Sequence, residues 1–208
     1  PSSIACFRDP IKNIYIKGIT FDGGGSQRDS HYMKVVRGIV FHGCTWQNFS
    51  YVGEHHPGMI NGHEKLENVW FIDCHFVGSQ YNGSYLDGLH GGGFVNCEFE
   101  SGCQHGILLL TNDDFSEDFN DDGHWQWNEK RNAQYNVIVG NVFDGVPEDC
   151  IDINQGGNLL IKDNVQLGNT ERFIYSTDRC SQRWHDLFYE GFYNRIIDNT
   201  VNSCVTFY

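Results

Sequence analysis

The run best spaced for chemistry is Asp118-Phe-Asn120-Asp-Asp122-Gly-His124-Trp-Gln-Trp-Asn-Glu129. Oxygen donors at loop positions 1, 3, 5 and 12, with glycine at 6, make the pattern of a calcium loop, and position 7 adds a backbone carbonyl, here that of His124. Trp125 is bulky for position 8, and no helical pattern precedes Asp118. An acidic surface loop also meets part of this pattern by chance, so a Ca2+ site and a plain acidic loop both stay open. With the ion bound, Trp125 and Trp127 would present flat faces for stacking sugar rings.

A second group consists of scattered acids, histidines and amides. In Cys150-Ile-Asp-Ile-Asn154 the alternation of a strand sends Ile151 and Ile153 to the core and Asp152 and Asn154 outward. The same rule places Asn61, His63, Asp87, Leu108, Leu110, Tyr175 and Thr177 on that outer face, with His90, Asp178 and Arg179 just beyond the strand ends. Such a polar groove with an aromatic platform suits a sugar chain, bound by Asn61, His63, Asn154, Tyr175 and Asp178. Asp87 and Asp152, two repeats apart, would stand ~9.6 Å from one another at the strand spacing. That is the outer limit for an inverting glycosidase pair, one acid protonating the leaving oxygen and the other activating water. A lyase would instead use His90 or Arg179 as base, beside a group that neutralises a uronate carboxylate. Solvated surface acids remain the competing account of both aspartates. His55-His56 and His63 lack the paired spacing of a zinc site and read as loop or groove histidines. Asn48-Phe-Ser50 and Asn82-Gly-Ser84 match the glycosylation acceptor pattern, which decides nothing without a secretory signal.

These residues are positioned by a repeat. Asn13-Ile-Tyr-Ile-Lys-Gly-Ile-Thr-Phe21, Gly38-Ile-Val-Phe-His-Gly-Cys-Thr-Trp46 and Asn68-Val-Trp-Phe-Ile-Asp-Cys-His-Phe76 share one phrase. It returns at Gly93–Phe99, Asn136–Phe143, Asn158–Leu167 and Asn194–Val201, making seven copies. One column runs Ile19, Cys44, Cys74, Cys97, Asn141, Asn164, Asn199; a second runs Phe21, Trp46, Phe76, Phe99, Phe143, Leu167, Val201. Like side chains stacked at the ~4.8 Å strand spacing, with asparagine amides bonding along a ladder, stabilise repeats that have no core of their own. A third short strand comes next in each copy, as in Met59-Ile-Asn61, Tyr85-Leu-Asp87, Gly106–Leu110, Cys150–Asn154 and Phe173–Ser176. The repeat predicts an all-β chain, a right-handed parallel β-helix of about seven coils with insertions at 111–133 and 177–192. A β-sandwich is the lesser alternative.

Composition narrows the partners. The 208 residues fit one domain, 1–208, and the abrupt ends suggest a fragment of a longer chain. Fourteen basic against 27 acidic residues give a formal charge of −13, which disfavours nucleic acid and anionic membranes. No apolar run approaches a spanning helix. Eight cysteines lack the spacing of a disulfide framework. The stacked ones read as buried thiols, because ladder neighbours lie slightly too far apart for unstrained bridges.

Through Leu66-Glu-Asn-Val-Trp-Phe-Ile-Asp-Cys-His-Phe76 and Glu148-Asp-Cys-Ile-Asp-Ile-Asn154, nearly the whole chain resembles the pectin-lyase-like superfamily. That superfamily spans pectate and alginate lyases, polygalacturonases, mannuronan epimerases and phage tailspikes, and the phage-type members are the most similar. The resemblance implies a carbohydrate-active β-helix, a polysaccharide lyase or glycoside hydrolase such as the depolymerase section of a tailspike. It further implies a polysaccharide partner, a homotrimer and an extracellular or virion-surface location, and a non-catalytic fibre or adhesin segment is the alternative. The Asn-Thr-Asp and Gly-His-Gly phrases of polygalacturonases, the Arg-x-Pro-x-x-Arg of pectate lyases and the Asp-Pro-His-Glu of epimerases are absent. No catalytic residue transfers by motif.

Overall fold

The computed structural model describes residues 3–7, 11–25, 29–49, 58–78, 82–100, 103–110, 133–154, 156–177 and 194–207. Among them every strand pairing is parallel and no helix occurs. Each repeat contributes up to three strands, and each strand pairs with its counterpart in the next repeat. First strands include Ile11–Lys17, Gly93–Val95, Val137–Val139, Leu160–Lys162 and Arg195–Ile197. Second strands are Thr20–Asp22, Thr45–Gln47, His75–Val77, Glu98–Glu100, Val142–Asp144 and Val165–Leu167, which form a six-stranded sheet of their own. Third strands include Asn82–Asp87, His105–Leu110, Asp149–Asn154, Arg172–Thr177 and Cys204–Phe207. Two long strands, Asp29–His42 and Gly58–Ile72, run from the third position of one repeat into the first of the next and join those two limbs into one sheet.

The bend between first and second strands has a simple cause. Gly18, Gly43, Asp73, Asn96, Gly140, Asp163 and Asp198 all take positive φ, between 51° and 70°. Only glycine, asparagine and aspartate enter this region at low cost, so each repeat turns where one of them stands. The residue after it begins the ladder the sequence predicts. Asn141 Nδ2 donates to Asn164 Oδ1 at 2.8 Å, and Asn164 Nδ2 donates to Asn199 Oδ1 at 2.9 Å. The same amide oxygens accept backbone N–H groups: Cys97 N donates to Asn141 Oδ1 at 2.8 Å and Asn141 N to Asn164 Oδ1 at 2.9 Å. In the earlier repeats Cys74 and Cys97 instead donate their thiols to the carbonyls of Phe41 and Phe71. The six cysteines whose side chains are described are free thiols, all buried except Cys204.

Two aromatic stacks run through the core among buried aliphatic residues such as Ile39, Leu66, Leu86, Ile107 and Ile151. Phe21, Trp46, Phe76, Phe99 and Phe143 stack with centroid separations of 5.2, 4.9, 4.6 and 5.0 Å. Phe41, Phe71 and Phe94 form the second, at 5.2 and 4.7 Å. The stacks meet edge to face, as Phe41 does Trp46 at 5.4 Å. One column member differs from the sequence expectation. Gln166, not Leu167, pairs with Phe143 and is 3 % exposed, whereas Leu167 is 45 % exposed. The inward position lies two residues after the ladder residue in each repeat, whether cysteine or asparagine, so the pleat fixes Gln166 there. Its Oε1 accepts from the Ser203 hydroxyl at 2.7 Å and from Asn202 N at 3.3 Å, which satisfies the buried amide oxygen.

Candidate functional site

Three successive third strands open with ionisable residues in register: His105 opposite Asp149, and Asp149 opposite Arg172. Beyond these openings each strand is anchored by buried apolar residues, Ile107 and Leu109, Ile151 and Ile153, Phe173 and Ile174. This fixes the strands and holds the polar first positions side by side. Arg172 Nε donates to Asp149 Oδ1 at 2.5 Å and Nη2 to Oδ2 at 3.2 Å. His105 Nδ1 lies 3.1 Å from Asp149 Oδ2, while its Nε2 lies 2.9 Å from Glu148 Oε2. The Arg172 guanidinium carbon sits 4.1 Å from the centroid of the Tyr175 ring, a cation–π contact.

Asp149 is the most enclosed of these groups, its side chain 1 % exposed. A buried carboxylate is tolerable only when paired, and the forked guanidinium supplies that pairing. For Arg172, burial works against the charge, but the Asp149 hydrogen bond and charge outweigh it and leave the pKa above its ordinary value. Burial pushes the neighbouring Cys150 thiol up to about 12. Asp152 adds another acid, and a ligand atom from each of His105, Asp149 and Asp152 lies within 4.8 Å of the others. A histidine held among three carboxylates is equipped for proton transfer. These donors are also the types that ligate metals, yet Arg172 already places a positive charge on Asp149, so a cation there would meet repulsion.

The sequence-predicted residues divide into those brought together and those set apart. Asn61, Tyr85, Leu108, Asp152 and Tyr175 stand in one column, in register from strand to strand. Asp152 was expected to face solvent but is 5 % exposed, since its carboxylate lies beside His105 and Asp149. Leu108 on the same column is equally covered. Asp87 is opposite Leu110, two residues further along the strand than the Asp152 column, and Asn154 is opposite Thr177. The offset, added to two strand spacings, separates the Cα atoms of Asp87 and Asp152 by about 12 Å rather than ~9.6 Å. His63 falls in the β-bulge where Met33 pairs with Gly62 and Val35 with Lys65, outside the regular alternation. His90 pairs with Glu67 and Gln134 at the corner leading to the first strands, its ring edge-on to Tyr135 at 5.3 Å. Asp118, Asn120, Asp122, His124, Trp125, Trp127, Glu129, Asp178 and Arg179 lie outside the described residues.

The sequence reading missed His105, Glu148, Asp149 and Arg172. A usable signal existed: aligning the third strands one residue earlier stacks a histidine, an aspartate and an arginine, the last two of opposite charge on adjacent repeats. No protein-family model, curated protein or solved structure matches the chain. Among the described residues no helix is long and apolar enough to cross a membrane.

Proposed function

We propose that the stacked repeats close into a right-handed parallel β-helix of about seven coils, and that this helix acts on a polysaccharide lying across its third strands. Parallel strands joined by crossovers almost always turn right-handed, and a positive-φ bend in every repeat supports closure. The activity proposed is cleavage by a lyase or glycoside hydrolase, as in the depolymerase section of a tailspike, outside the cell or on a virion surface. One observation carries this reading: Asp152, His105 and Glu148 gather beside a column that also holds Tyr85, Tyr175 and Asn61. Asp152 and His105 would exchange protons with the glycosidic oxygen or the sugar, and the tyrosines would meet the rings. Asp149 and Arg172 would hold His105 in place.

A second reading, a fibre segment that binds glycans without cleaving them, is favoured by the enclosure of the acids. Asp149 has both oxygens engaged by Arg172, and Asp152 is 5 % exposed. Incubation with a panel of acidic and neutral polysaccharides separates the readings. Reducing ends alone indicate hydrolysis, and reducing ends with ultraviolet-absorbing unsaturated products indicate a lyase. Binding without either product supports the fibre. A Ca2+ ion at Asp118–Glu129 and a homotrimer belong to the same proposal; chelator-dependent melting tests the first and light scattering the second.

A further inference from the structure

We propose a divalent transition-metal site, of the kind that takes Zn2+, on the outer face of the second strands, formed by His75, Glu98 and Glu100. The three residues come from adjacent strands of one sheet: His75 is directly opposite Glu98, and Phe76 and Phe99 on the inward side are fully buried in the aromatic stack. The ligands therefore project from an anchored base. Nε2 of His75 lies 2.8 Å from Glu100 Oε1 and 3.9 Å from Glu98 Oε2. Metal–ligand bonds of about 2.0–2.1 Å at a tetrahedral angle set ligand atoms about 3.4 Å apart, midway between these two distances. Small side-chain rotations would equalise them. One imidazole nitrogen and two carboxylate oxygens leave a fourth position for water, a donor set suited to zinc.

Two further features point to a cation. The His75 side chain is about a third exposed, but its Nε2 atom is covered, lies against both carboxylates and makes no aligned hydrogen bond to either. No lysine or arginine occupies an outward position of the described second strands, and Asp144 pairs with Glu100 in the next repeat. The cluster of His105, Asp149 and Asp152 has the same ligand types, but Arg172 already pairs with its Asp149, whereas the ion-pair partner of Glu98 and Glu100 among the described residues is His75 itself.

The test is calorimetric titration of the chelator-stripped full chain with zinc chloride, paired with the visible spectrum of the cobalt-substituted protein. Expected are zinc uptake and tetrahedral cobalt bands, both lost or weakened at least about tenfold in His75→Gln and in Glu100→Gln. His42→Gln removes another half-exposed histidine, one that faces a single carboxylate, Asp73, and should leave the titration unchanged. Melting curves in chelator check that the variants fold. If His75→Gln melts early, Glu98→Gln and Glu100→Gln, which preserve side-chain shape, decide the matter. No zinc uptake by the wild type, or uptake that persists in these variants, overturns the site.

Discussion

Replacing Asn141 by alanine should cost more stability than any polar change on the surface, because one amide serves three neighbours inside the fold. Its oxygen accepts the Cys97 N–H at 2.8 Å, and its nitrogen donates to the Phe94 carbonyl at 3.1 Å and to Asn164 Oδ1 at 2.8 Å. Asn164 Oδ1 keeps the Asn141 backbone N–H as a donor after the change, at 2.9 Å. The Cys97 N–H and the Phe94 carbonyl lose the side-chain partner in a region closed to water. Leaving a buried polar group unsatisfied costs about 1–3 kcal/mol, so the two together imply a loss of about 2–6 kcal/mol. The assay is urea unfolding followed by fluorescence and circular dichroism, with the m-value checked for constancy. Asn141→Asp refines the test, since it keeps the shape but replaces a donor with a carboxylate oxygen facing two acceptors. Its folded-state pKa should be raised above the ordinary value of about 3.9. The variant is then least impaired below that value and loses stability as the pH rises through its raised folded pKa. A loss under about 1 kcal/mol in Asn141→Ala, or an Asn141→Asp variant that is more stable at neutral than at acidic pH, would refute the role given to the ladder.

Two other predictions concern the backbone and the thiols. Gly93 has φ +144°, and a Cβ there would lie 1.9 Å from the Val137 carbonyl oxygen, so Gly93→Ala should fail to accumulate as folded protein, as judged by soluble yield and circular dichroism. A near-wild-type melting curve for that variant would show that the two repeats do not approach so closely. Among the cysteines with described side chains, Cys204 should react with a thiol reagent in the native protein. Cys44, Cys74, Cys97, Cys103 and Cys150 should react only after denaturant is added. With its pKa pushed up to about 12 by burial, Cys150 has little thiolate at about pH 8. Peptide mapping of the labelled protein reads the outcome, and rapid native labelling of Cys150 would contradict its burial.

The parallel architecture was legible because stacking makes a column visible as repetition. Cys44, Cys74 and Cys97, then Asn141 and Asn164, recur beside a glycine, aspartate or asparagine that can take positive φ. The aromatic column was legible for the same reason as far as Phe143. It slipped at Gln166, where a buried side chain whose amide oxygen accepts from Ser203 and Asn202 replaced the expected apolar residue. The site was harder to read. Asp152 and Tyr175 were found by alternation, but alternation says nothing of lateral neighbours, and so it left Asp152 exposed. The pairing of Asp149 with Arg172 and His105 joins residues 23 and 44 positions apart, and it appears only when register fixes which strands are adjacent. The Asp87 and Asp152 pair failed to meet for the same reason, since a shift of two residues along a strand exceeds the spacing between strands.

The central claim is that the third-strand face cleaves a polysaccharide through Asp152 and its neighbours. It is tested most directly by product formation from a polysaccharide panel with the wild type and Asp152→Asn side by side. The account predicts reducing ends from at least one polysaccharide with the wild type. It also predicts a rate at least about a hundredfold lower in Asp152→Asn, with binding retained, as expected on loss of an acid–base group. Undiminished cleavage by Asp152→Asn, or a wild type that cleaves no member of the panel, whether or not it binds one, would contradict it.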